Sequence, residues 1–404
     1  MTDDHLLCTA CGARHAIADV PSKCATCAGI LDLVLGEPED RPVADDPRSL
    51  WSWAEHLPRC REAHRITMGE AGTPLLKAER LGARHGLRDL WIKTDSVMPT
   101  GSFKDRAIAL ATSLACEYDR PALVMSSSGN AGASGAAYAA RSGKPIVVLV
   151  PRTAPEAKLR QIAITGAHLV TVDGPTSACC RLAEELARDR GWVNLTTTYH
   201  CPYGVDGYAT IAYELAAAAP DVVLLPISAG PLLGGIVKGF ARLRARGEQV
   251  KMPRPIALQP EACAPIARAF DEGTGIRPWT HAATVASALN DTLEGYEQDG
   301  DYTLSLIRAH GGAAVAVDDA TILAGQRMAA SLEGILMEPS AAITIGALDL
   351  LRERGIVAPD ERVVAVATGH GLKDLSHVDI TRDATIPPTG DGLSARLADA
   401  IPQI

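Results

Sequence analysis

The chain has 404 residues, of which 47% are hydrophobic, so it is long enough for two or three domains with sizeable cores. Its formal charge of −9 argues against a general role on nucleic acids or on anionic membrane surfaces. No apolar run reaches membrane-spanning length, and the acidic N-terminus shows no signal-peptide pattern. We therefore expect a cytoplasmic protein whose ten cysteines are reduced.

Two CxxC pairs, separated by 12 residues, stand near the N-terminus. Four thiolates close a tetrahedral Zn²⁺ site, which leaves no open position for catalysis. A disulfide is less favoured in the cytoplasm, and a redox CxxC motif would explain only one of the two pairs. A nucleic-acid-binding ribbon would need more than the thin basic patch of Arg14, His15 and Lys23. The pattern predicts a structural zinc ribbon with these ligands: Cys8, Cys11, Cys24 and Cys27.

From residue 90 onward, short apolar runs alternate with helix-favouring segments, which predicts parallel sheets covered by helices on both faces. The predicted strands are Leu90–Thr94, Ala122–Ser126, Ile146–Val150, Leu169–Val172, Val222–Pro226, Pro255–Leu258 and Val363–Ala367. The predicted helices are Ala107–Glu117, Ala131–Arg141, Glu156–Thr165, Thr176–Asp189, Tyr208–Ala217, Leu233–Arg246, Asp318–Gly334 and Ala341–Glu353.

Lys104 lies in the segment PTGSFKDR (99–106), between the first of these strands and the first of these helices. Open α/β sheets bind ligands at such junctions, beyond the carboxyl ends of their strands. A lysine held there is a candidate Schiff-base nucleophile. Taken alone, a surface lysine at the start of an ordinary helix is the simpler interpretation.

Four further motifs follow in the chain: SSSGNAG (126–132), AGPLLGG (229–235), EPS (338–340) and ATGHG (367–371). In the first, Gly129 allows close approach of the backbone to a ligand, and Asn130 offers an amide with donor and acceptor sides. The second exposes backbone N–H groups at a helix start, which suits a phosphate. Its expected donors are Gly230, Leu232, Leu233, Gly234 and Gly235, since Pro231 has no N–H. Dinucleotide binding would need G-x-G-x-x-G, which this loop lacks.

In this order, the five motifs resemble those of the tryptophan-synthase-β-like (fold-type II) pyridoxal-phosphate enzymes. GSFKDR (101–106) together with TGHGLKD (368–374) is most similar to threonine synthases, and the likeness extends from about Trp51 to Asp374. It implies an α/β fold of two open, mainly parallel lobes with the cofactor between them. The resulting division is a zinc ribbon (1–36), a linker (37–50), a large cofactor-binding lobe (51–117 and 204–380), a small mobile lobe (118–203) and a C-terminal extension (381–404).

The resemblance also implies roles for individual residues. Lys104 would hold pyridoxal 5′-phosphate and act as a base at the substrate Cα. Asn130 would contact the pyridoxal 3′-oxygen, Thr368 would face the pyridine nitrogen, and the glycine-rich loop would bind the phosphate. The expected partner is a small amino-acid substrate rather than nucleic acid or membrane, and the expected assembly is a homodimer. The substrate-binding residues implied are Ser127, Ser128, Gly129, Asn130 and Lys158.

One segment departs from the threonine synthase pattern. Gly204 stands where the family has an arginine for the substrate phosphate, and Ala209 replaces a family lysine. A buried phosphate dianion needs several donors.

Threonine synthesis from O-phosphohomoserine fits the overall resemblance. A β-eliminating, β-replacing or ammonia-lyase reaction on a hydroxy- or amino-substituted amino acid fits the lost arginine better. A non-enzymatic descendant and a nucleic-acid-binding ribbon are less favoured. His200 and Cys201, beside Gly204, are candidates for substrate recognition or for packing.

Overall fold

The computed structural model describes residues 3–36, 41–154 and 156–380, without the side chains of residues 157 and 158. The chain divides into two compact units, residues 1–373 and 374–404. In the described part of the second unit, residues 374–380, Ser376 Oγ donates a hydrogen bond to Asp374 Oδ1 (2.7 Å). The predicted C-terminal extension, residues 381–404, and residues 37–40 of the predicted linker lie outside the described residues.

The first unit contains thirteen strands within the described ranges. They are β1 (His5–Cys8), β2 (Arg14–Ala16), β3 (Leu31–Val34), β4 (Leu75–Lys77), β5 (Asp89–Lys93), β6 (Leu123–Ser126), β7 (Ile146–Pro151), β8 (His168–Val172), β9 (Val193–Asn194), β10 (Val222–Pro226), β11 (Arg254–Pro260), β12 (Ala313–Val317) and β13 (Arg362–Val366). All seven predicted strands are among them, each within two residues of its predicted ends. β12 was not predicted, because its alanine-rich sequence, AAVAV, has little β-propensity.

Twelve α-helices accompany these strands in the part of the chain that is described. They are α1 (Glu79–His85), α2 (Lys104–Glu117), α3 (Asn130–Ser142), α4 (Glu156–Ala163), α5 (Thr176–Arg190), α6 (Pro202–Leu215), α7 (Pro231–Ala245), α8 (Pro265–Glu272), α9 (Glu297–Ala309), α10 (Asp319–Glu333), α11 (Pro339–Gly346) and α12 (Leu348–Glu353). The predicted helix Ala341–Glu353 is in fact two helices, α11 and α12. Among the described helices, none is both long and apolar enough to cross a membrane.

The strands form three sheets. The largest has the order β12-β11-β10-β13-β5-β4 and is parallel except for β4, which pairs antiparallel with β5. A four-stranded parallel sheet has the order β8-β7-β6-β9. The N-terminal strands form a small antiparallel sheet in the order β2-β1-β3. The predicted α/β fold with two mainly parallel sheets is confirmed, while the predicted domain boundaries remain a prediction.

The N-terminal sheet packs on the main body of the first unit. Leu6, Leu31 and Leu33 are fully buried in the same hydrophobic core as Trp51 and helix α2. Lys23 forms an ion pair with Glu184 of α5 (2.9 Å). The cysteine-bearing segment is therefore part of a shared core rather than a separately tethered module.

Helix α2, which begins with Lys104, is anchored by a buried ion cluster. Arg106 Nε donates to Asp95 Oδ2 (2.8 Å), and its other nitrogens bond to Thr210 and Glu214. Arg106 and Asp95 are completely buried. Removing one partner of such a cluster leaves an unpaired buried charge and costs about 3–5 kcal/mol. The arginine of the GSFKDR motif thus fixes the helix that carries the lysine.

Candidate active site

Lys104 is positioned by three loops that hydrogen-bond to one another through their backbones. The Phe103 N–H donates to the Thr368 carbonyl (2.9 Å), and the His370 N–H donates to the Gly101 carbonyl (2.9 Å). The Glu338 N–H donates to the carbonyl of Gly369 (3.0 Å). The lysine loop, the loop after β13 and the start of α11 are therefore held as one rigid assembly.

The Lys104 ammonium lies against aromatic rings. Its Nζ is 4.6 Å from the ring centre of Phe103 and 5.8 Å from that of Tyr208. Among the described residues, no hydrogen-bond acceptor or ion-pair partner is in contact with Nζ. Burial lowers the pKa of Lys104 to about 8, although the carboxylates of Asp291 and Glu338 act in the opposite direction. An amine with this pKa is partly deprotonated near neutral pH and can act as a nucleophile or base.

A small cavity opens beside Lys104. It is lined by several residues that the sequence motifs predicted: Lys104, Asn130, Gly230, Leu232, Glu338, Ser340 and Thr368. It is also lined by residues that the sequence did not suggest: Ile227, Ser228, Ala288 and Leu289. The carboxyl ends of β6, β10 and β13 lead into its walls, as expected for a ligand site in parallel sheets.

Asn130 and Glu338 meet across this cavity. Asn130 is the first residue of α3, beside the smaller parallel sheet, and its Nδ2 donates to Glu338 Oε1 (2.7 Å). Glu338 precedes α11, which packs on the largest sheet. The resemblance implies that the Asn130 amide contacts the cofactor. Glu338, 208 residues further along the chain, holds this amide in place.

The glycine-rich loop leads into α7 from the carboxyl end of β10. Gly230 has φ = 105°, a conformation that glycine adopts without strain, and Pro231 is the first helical residue. The Gly234 N–H donates to the Gly230 carbonyl (3.0 Å). The N–H groups of Leu232 and Leu233 belong to the first helical turn, which has no intrahelical acceptors for them. This positive helix end can hold a phosphate group.

Gly234 and Gly235 have a second role, since both allow close packing behind the loop. A Cβ atom at Gly234 would lie 2.7 Å from the Tyr199 hydroxyl oxygen, and one at Gly235 would lie 2.6 Å from Tyr208 Cβ. We therefore expect Leu232 and Leu233 to be the principal backbone donors. Gly234 and Gly235 bring α7 close to its neighbours.

The loop is braced by Thr303, a residue of α9 that belongs to none of the sequence motifs. Thr303 Oγ1 donates to the carbonyl of Ala229 (2.7 Å) and lies 3.0 Å from the Tyr199 hydroxyl. A Cβ atom on Gly230 would overlap the Thr303 side chain. Gly230 is thus required both for its backbone conformation and for this close approach.

Gly230→Ala is expected to weaken cofactor binding by about tenfold or more. The new methyl group would displace the phosphate loop, which would lose at least one charge-assisted hydrogen bond. Gly247→Ala is the matched control, because Gly247 also has a positive φ (87°) but a Cβ atom there would meet nothing within 4 Å. Equilibrium dialysis of pyridoxal phosphate would measure both affinities. Equal effects of the two substitutions would contradict the assignment of this loop.

The other predicted substrate residues lie at the end of β6. Ser127, Ser128 and Gly129 are half-buried, and the Gly129 N–H donates to Ser127 Oγ (3.2 Å). They connect the strand to Asn130, which lines the cavity. The backbone of Lys158 lies in α4, but its side chain is outside the described atoms, so its predicted contact with substrate stays a prediction.

Gly204 and Ala209, the two positions where cations were expected for a substrate phosphate, do not line the cavity. A Cβ atom at Gly204 would lie 2.8 Å from Cys201 Sγ and 3.5 Å from Ala107 Cβ, in the contact between α6 and α2. Ala209 is fully buried against α7. The premise that a side chain at position 204 reaches the substrate is therefore not supported by this geometry. Cys201 is a core residue, and His200 Nδ1 lies 2.9 Å from a carboxylate oxygen of Glu184.

The four N-terminal cysteines come together as predicted. Their sulfur atoms all lie within 4.8 Å of one another, with Cys8 and Cys27 at 3.5 Å and Cys11 and Cys24 at 3.7 Å. Zinc–sulfur bonds of about 2.3 Å in a tetrahedron place the sulfurs about 3.8 Å apart. The cluster can therefore hold one tetrahedral metal ion.

The pKa values of two of these thiols are shifted in opposite directions by their neighbours. Burial raises the pKa of Cys24, but hydrogen bonds from the Cys27 N–H and from His15 outweigh it and lower the pKa to about 5. The Gly29 N–H lowers the pKa of Cys27, but hydrogen bonds with the sulfurs of Cys11 and Cys8 outweigh it and raise that pKa to about 12. A bound metal cation would take the place of these shared protons and hold the sulfurs as thiolates.

A buried amine beside a helix end that can hold a phosphate agrees with comparisons to known proteins. A family model described as "Pyridoxal-phosphate dependent enzyme" matches residues 66–369, and the chain belongs to this family. Within the family it is a threonine synthase-like lyase. It is 33% identical to a threonine synthase of Methanosarcina acetivorans over 393 residues, covering 95% of each chain. It is 31% identical to a threonine synthase of Methanocaldococcus jannaschii, covering 91% of this chain and 92% of that one.

Solved structures with the same fold are more distant in sequence. Maize serine racemase superposes with a TM-score of 0.64 at 23% identity, covering 74% of this chain and 88% of that one. Diaminopropionate ammonia lyase from Escherichia coli gives 0.64 at 21% identity, covering 78% and 88%. At these identities the likeness establishes the fold alone.

Proposed function

We propose that this chain eliminates a leaving group from the side chain of a small amino acid, using Lys104 as the cofactor-bound lysine and the base. The observation that carries the proposal is the Lys104 amine at the wall of a cavity that Asn130 and the start of α7 also line. Burial lowers the pKa of this amine to about 8, which supports the proposal. Lys104, Asn130 and the loop before α7 all lie within residues 66–369, which match the family of pyridoxal-phosphate dependent enzymes.

The residues of the site fit the cofactor in three ways. The N–H groups of Leu232 and Leu233 at the start of α7 would hold its phosphate. Asn130, fixed by Glu338, would contact the ring hydroxyl, and the Thr368 hydroxyl would face the ring nitrogen. When bound, pyridoxal phosphate supplies an aldehyde that links to amines and a ring that withdraws electrons from the adjacent carbon.

The protein's own contribution to the reaction is to move one proton and to orient the substrate. Lys104 Nζ would take the proton from the substrate Cα, and the leaving group would depart from the side chain with its bonding electrons. The loop of Ser127, Ser128 and Gly129 would hold the substrate carboxylate through its hydroxyl and backbone N–H groups. Burial of Lys104 keeps its amine deprotonated for part of the time near neutral pH.

A second candidate is the complete threonine synthase reaction, in which water adds after elimination from O-phosphohomoserine. The long matches to two proteins named threonine synthase favour it. The cavity provides little for a phosphorylated side chain: among the described residues that line it, Lys104 is the only cation.

Steady-state kcat/KM values for O-phosphohomoserine, O-phosphoserine, serine and threonine, measured on one preparation, would test the proposal. We expect turnover of at least one of the small hydroxy amino acids, with release of a 2-oxo acid and ammonia. Efficient formation of threonine from O-phosphohomoserine, with the other three inert, would establish the second candidate instead. No turnover of any of the four would contradict both.

We also propose that Cys8, Cys11, Cys24 and Cys27 hold one structural zinc ion. The sulfur–sulfur distances of 3.5 and 3.7 Å support this, as does the all-thiolate ligand set. Four protein ligands would leave no coordination position for substrate, so the metal would stabilise the N-terminal sheet and take no part in the chemistry.

A further inference from the structure

The N-terminal sheet, which carries the cysteine cluster, contacts α7, the helix whose first turn can hold a phosphate group. Lys238 of α7 forms an ion pair with Asp32 of β3, and Arg242 donates a hydrogen bond to the Leu33 carbonyl (2.8 Å). Lys238 is less than two helical turns from the backbone donors expected for the phosphate. Because a helix is hydrogen-bonded along its length, contacts at this point help to fix the position of its first turn.

The charges at this contact depend on the N-terminal sheet for their balance. Lys238 and Arg242 each lie 2.9 Å from Asp206 of α6, a fully buried carboxylate. One carboxylate cannot neutralise two cations, and Asp32 supplies a second negative charge. Both cations are largely buried, with side chains that are 15% and 16% exposed. A buried charge without a partner is costly, so withdrawal of Asp32 would disturb the packing of α7 on α6.

A second contact reaches the glycine-rich loop itself. Ile30, which directly precedes β3, packs in a small buried cluster with Tyr199 and Val205. The Tyr199 hydroxyl donates to the Gly230 carbonyl (3.2 Å). The same hydroxyl packs against Gly234, where a Cβ atom would lie only 2.7 Å from its oxygen. The N-terminal segment thus supports both the loop and the helix that follows it.

The first CxxC pair is bonded to the part of the segment that makes these contacts. Cys8 pairs with Leu31 in the register of β1 and β3. The Thr9 N–H, between the two cysteines of this pair, donates to the Ile30 carbonyl (2.9 Å). Binding energy at a structural metal site is folding energy, so an empty cluster would loosen Ile30 and β3.

We propose that the N-terminal sheet supports the phosphate site of the cofactor, with Asp32 and Tyr199 as positioning residues, so that an empty four-cysteine cluster weakens the binding of pyridoxal phosphate. This rests on the proposed function and on the proposed zinc site. Binding linkage is reciprocal, so the bound cofactor should strengthen zinc binding by the same factor. The effect acts on the phosphate and leaves the reaction of Lys104 with the aldehyde unchanged.

Pyridoxal phosphate and pyridoxal, which lacks the phosphate, test the proposal together. Equilibrium dialysis against zinc-loaded and zinc-depleted full-length apoenzyme would give a dissociation constant for each compound. We expect zinc depletion to weaken the binding of pyridoxal phosphate about tenfold, a factor typical of coupling between two sites, and to leave the pyridoxal constant unchanged. Competition with a chromophoric chelator would measure zinc affinity, which should rise by the same factor when pyridoxal phosphate is bound.

Two variants that keep all four cysteines test the contacts themselves. Asp32→Asn removes the charge that pairs with Lys238. It should keep its zinc, weaken the binding of pyridoxal phosphate about threefold, as expected for a partly exposed ion pair, and reduce the effect of zinc depletion. Tyr199→Phe keeps the buried ring and removes the hydroxyl bonded to the loop, so it should weaken pyridoxal phosphate but not pyridoxal. Asp19→Asn is the matched control, because it makes the same change at an exposed position of the same segment and should leave all constants unchanged.

Equal pyridoxal phosphate constants in zinc-loaded and zinc-depleted protein would overturn the proposal. So would equal weakening of both compounds, because that result indicates general unfolding rather than loss of the phosphate site. If zinc-depleted protein does not fold, Asp32→Asn and Tyr199→Phe decide, and unchanged constants in both would overturn it. Reduced wild-type protein that holds no zinc would also do so. Failure of the proposed function would look different, since zinc-loaded wild-type protein would then bind neither compound at Lys104.

Discussion

Lys104→Ala is expected to abolish covalent attachment of pyridoxal phosphate and to lower kcat/KM by about 10³-fold or more. The substitution removes the amine that binds the cofactor aldehyde and also the base at the substrate Cα, and a positioned base alone contributes about 10²–10⁴-fold. Borohydride reduction of the wild-type holoenzyme, followed by peptide mapping, should place the cofactor on the peptide that contains Lys104. The same treatment of the variant should leave the protein unlabelled.

The lowered pKa of Lys104 allows a second test of its assignment as the cofactor-bound lysine. Only the deprotonated amine reacts with an aldehyde, so the rate at which apoenzyme takes up the cofactor should rise with pH. The midpoint should lie near pH 8, the pKa to which burial brings Lys104, rather than near the ordinary lysine value of 10.5. Lys251→Ala is the control, because Lys251 is exposed and pairs with Asp221 on the surface. A label on any other lysine would end the assignment of Lys104.

Cys24→Ser is expected to release the metal and to lower the unfolding temperature by roughly 10 °C or more. Binding energy at a structural zinc site is folding energy, and Leu6, Leu31 and Leu33 of the same small sheet lie in the shared core with Trp51. Loss of the metal should therefore destabilise the shared core as well as the N-terminal sheet. Metal analysis of the reduced wild-type protein should give one zinc per chain, and calorimetry would report the change in stability.

Cys116→Ser is the matched control for the metal site. Cys116 is a free, half-buried thiol outside the four-cysteine cluster, so this change should keep the zinc and shift the unfolding temperature only slightly. Reduced wild-type protein without zinc would refute the metal assignment. So would a Cys24→Ser protein that keeps its full stability and its metal content.

Some features were predictable from the sequence because they depend on local patterns. The two CxxC pairs are close enough along the chain to predict that their sulfurs would meet, and the sulfurs do lie within 4.8 Å of one another. The glycine-rich motif predicted that a helix begins after a buried strand, and α7 does begin there, at Pro231. Alternating apolar and helical segments predicted parallel sheets, since parallel strands need long helical crossovers. Together, the five motifs also identified the family.

Other features depended on contacts between residues far apart in the chain, which no local pattern encodes. The Asn130–Glu338 hydrogen bond joins residues that are 208 positions apart, and Thr303 braces a loop 74 positions before it. Gly204 matched a family arginine by its place in the sequence, but the packing of α6 on α2 keeps it out of the cavity. Sequence periodicity and spacing thus determined the elements and the four-cysteine cluster, and the resemblance of the motifs to a known family singled out Lys104. Tertiary packing decided which side chains share the cavity, because that depends on the order in which the strands assemble and on how closely the helices approach.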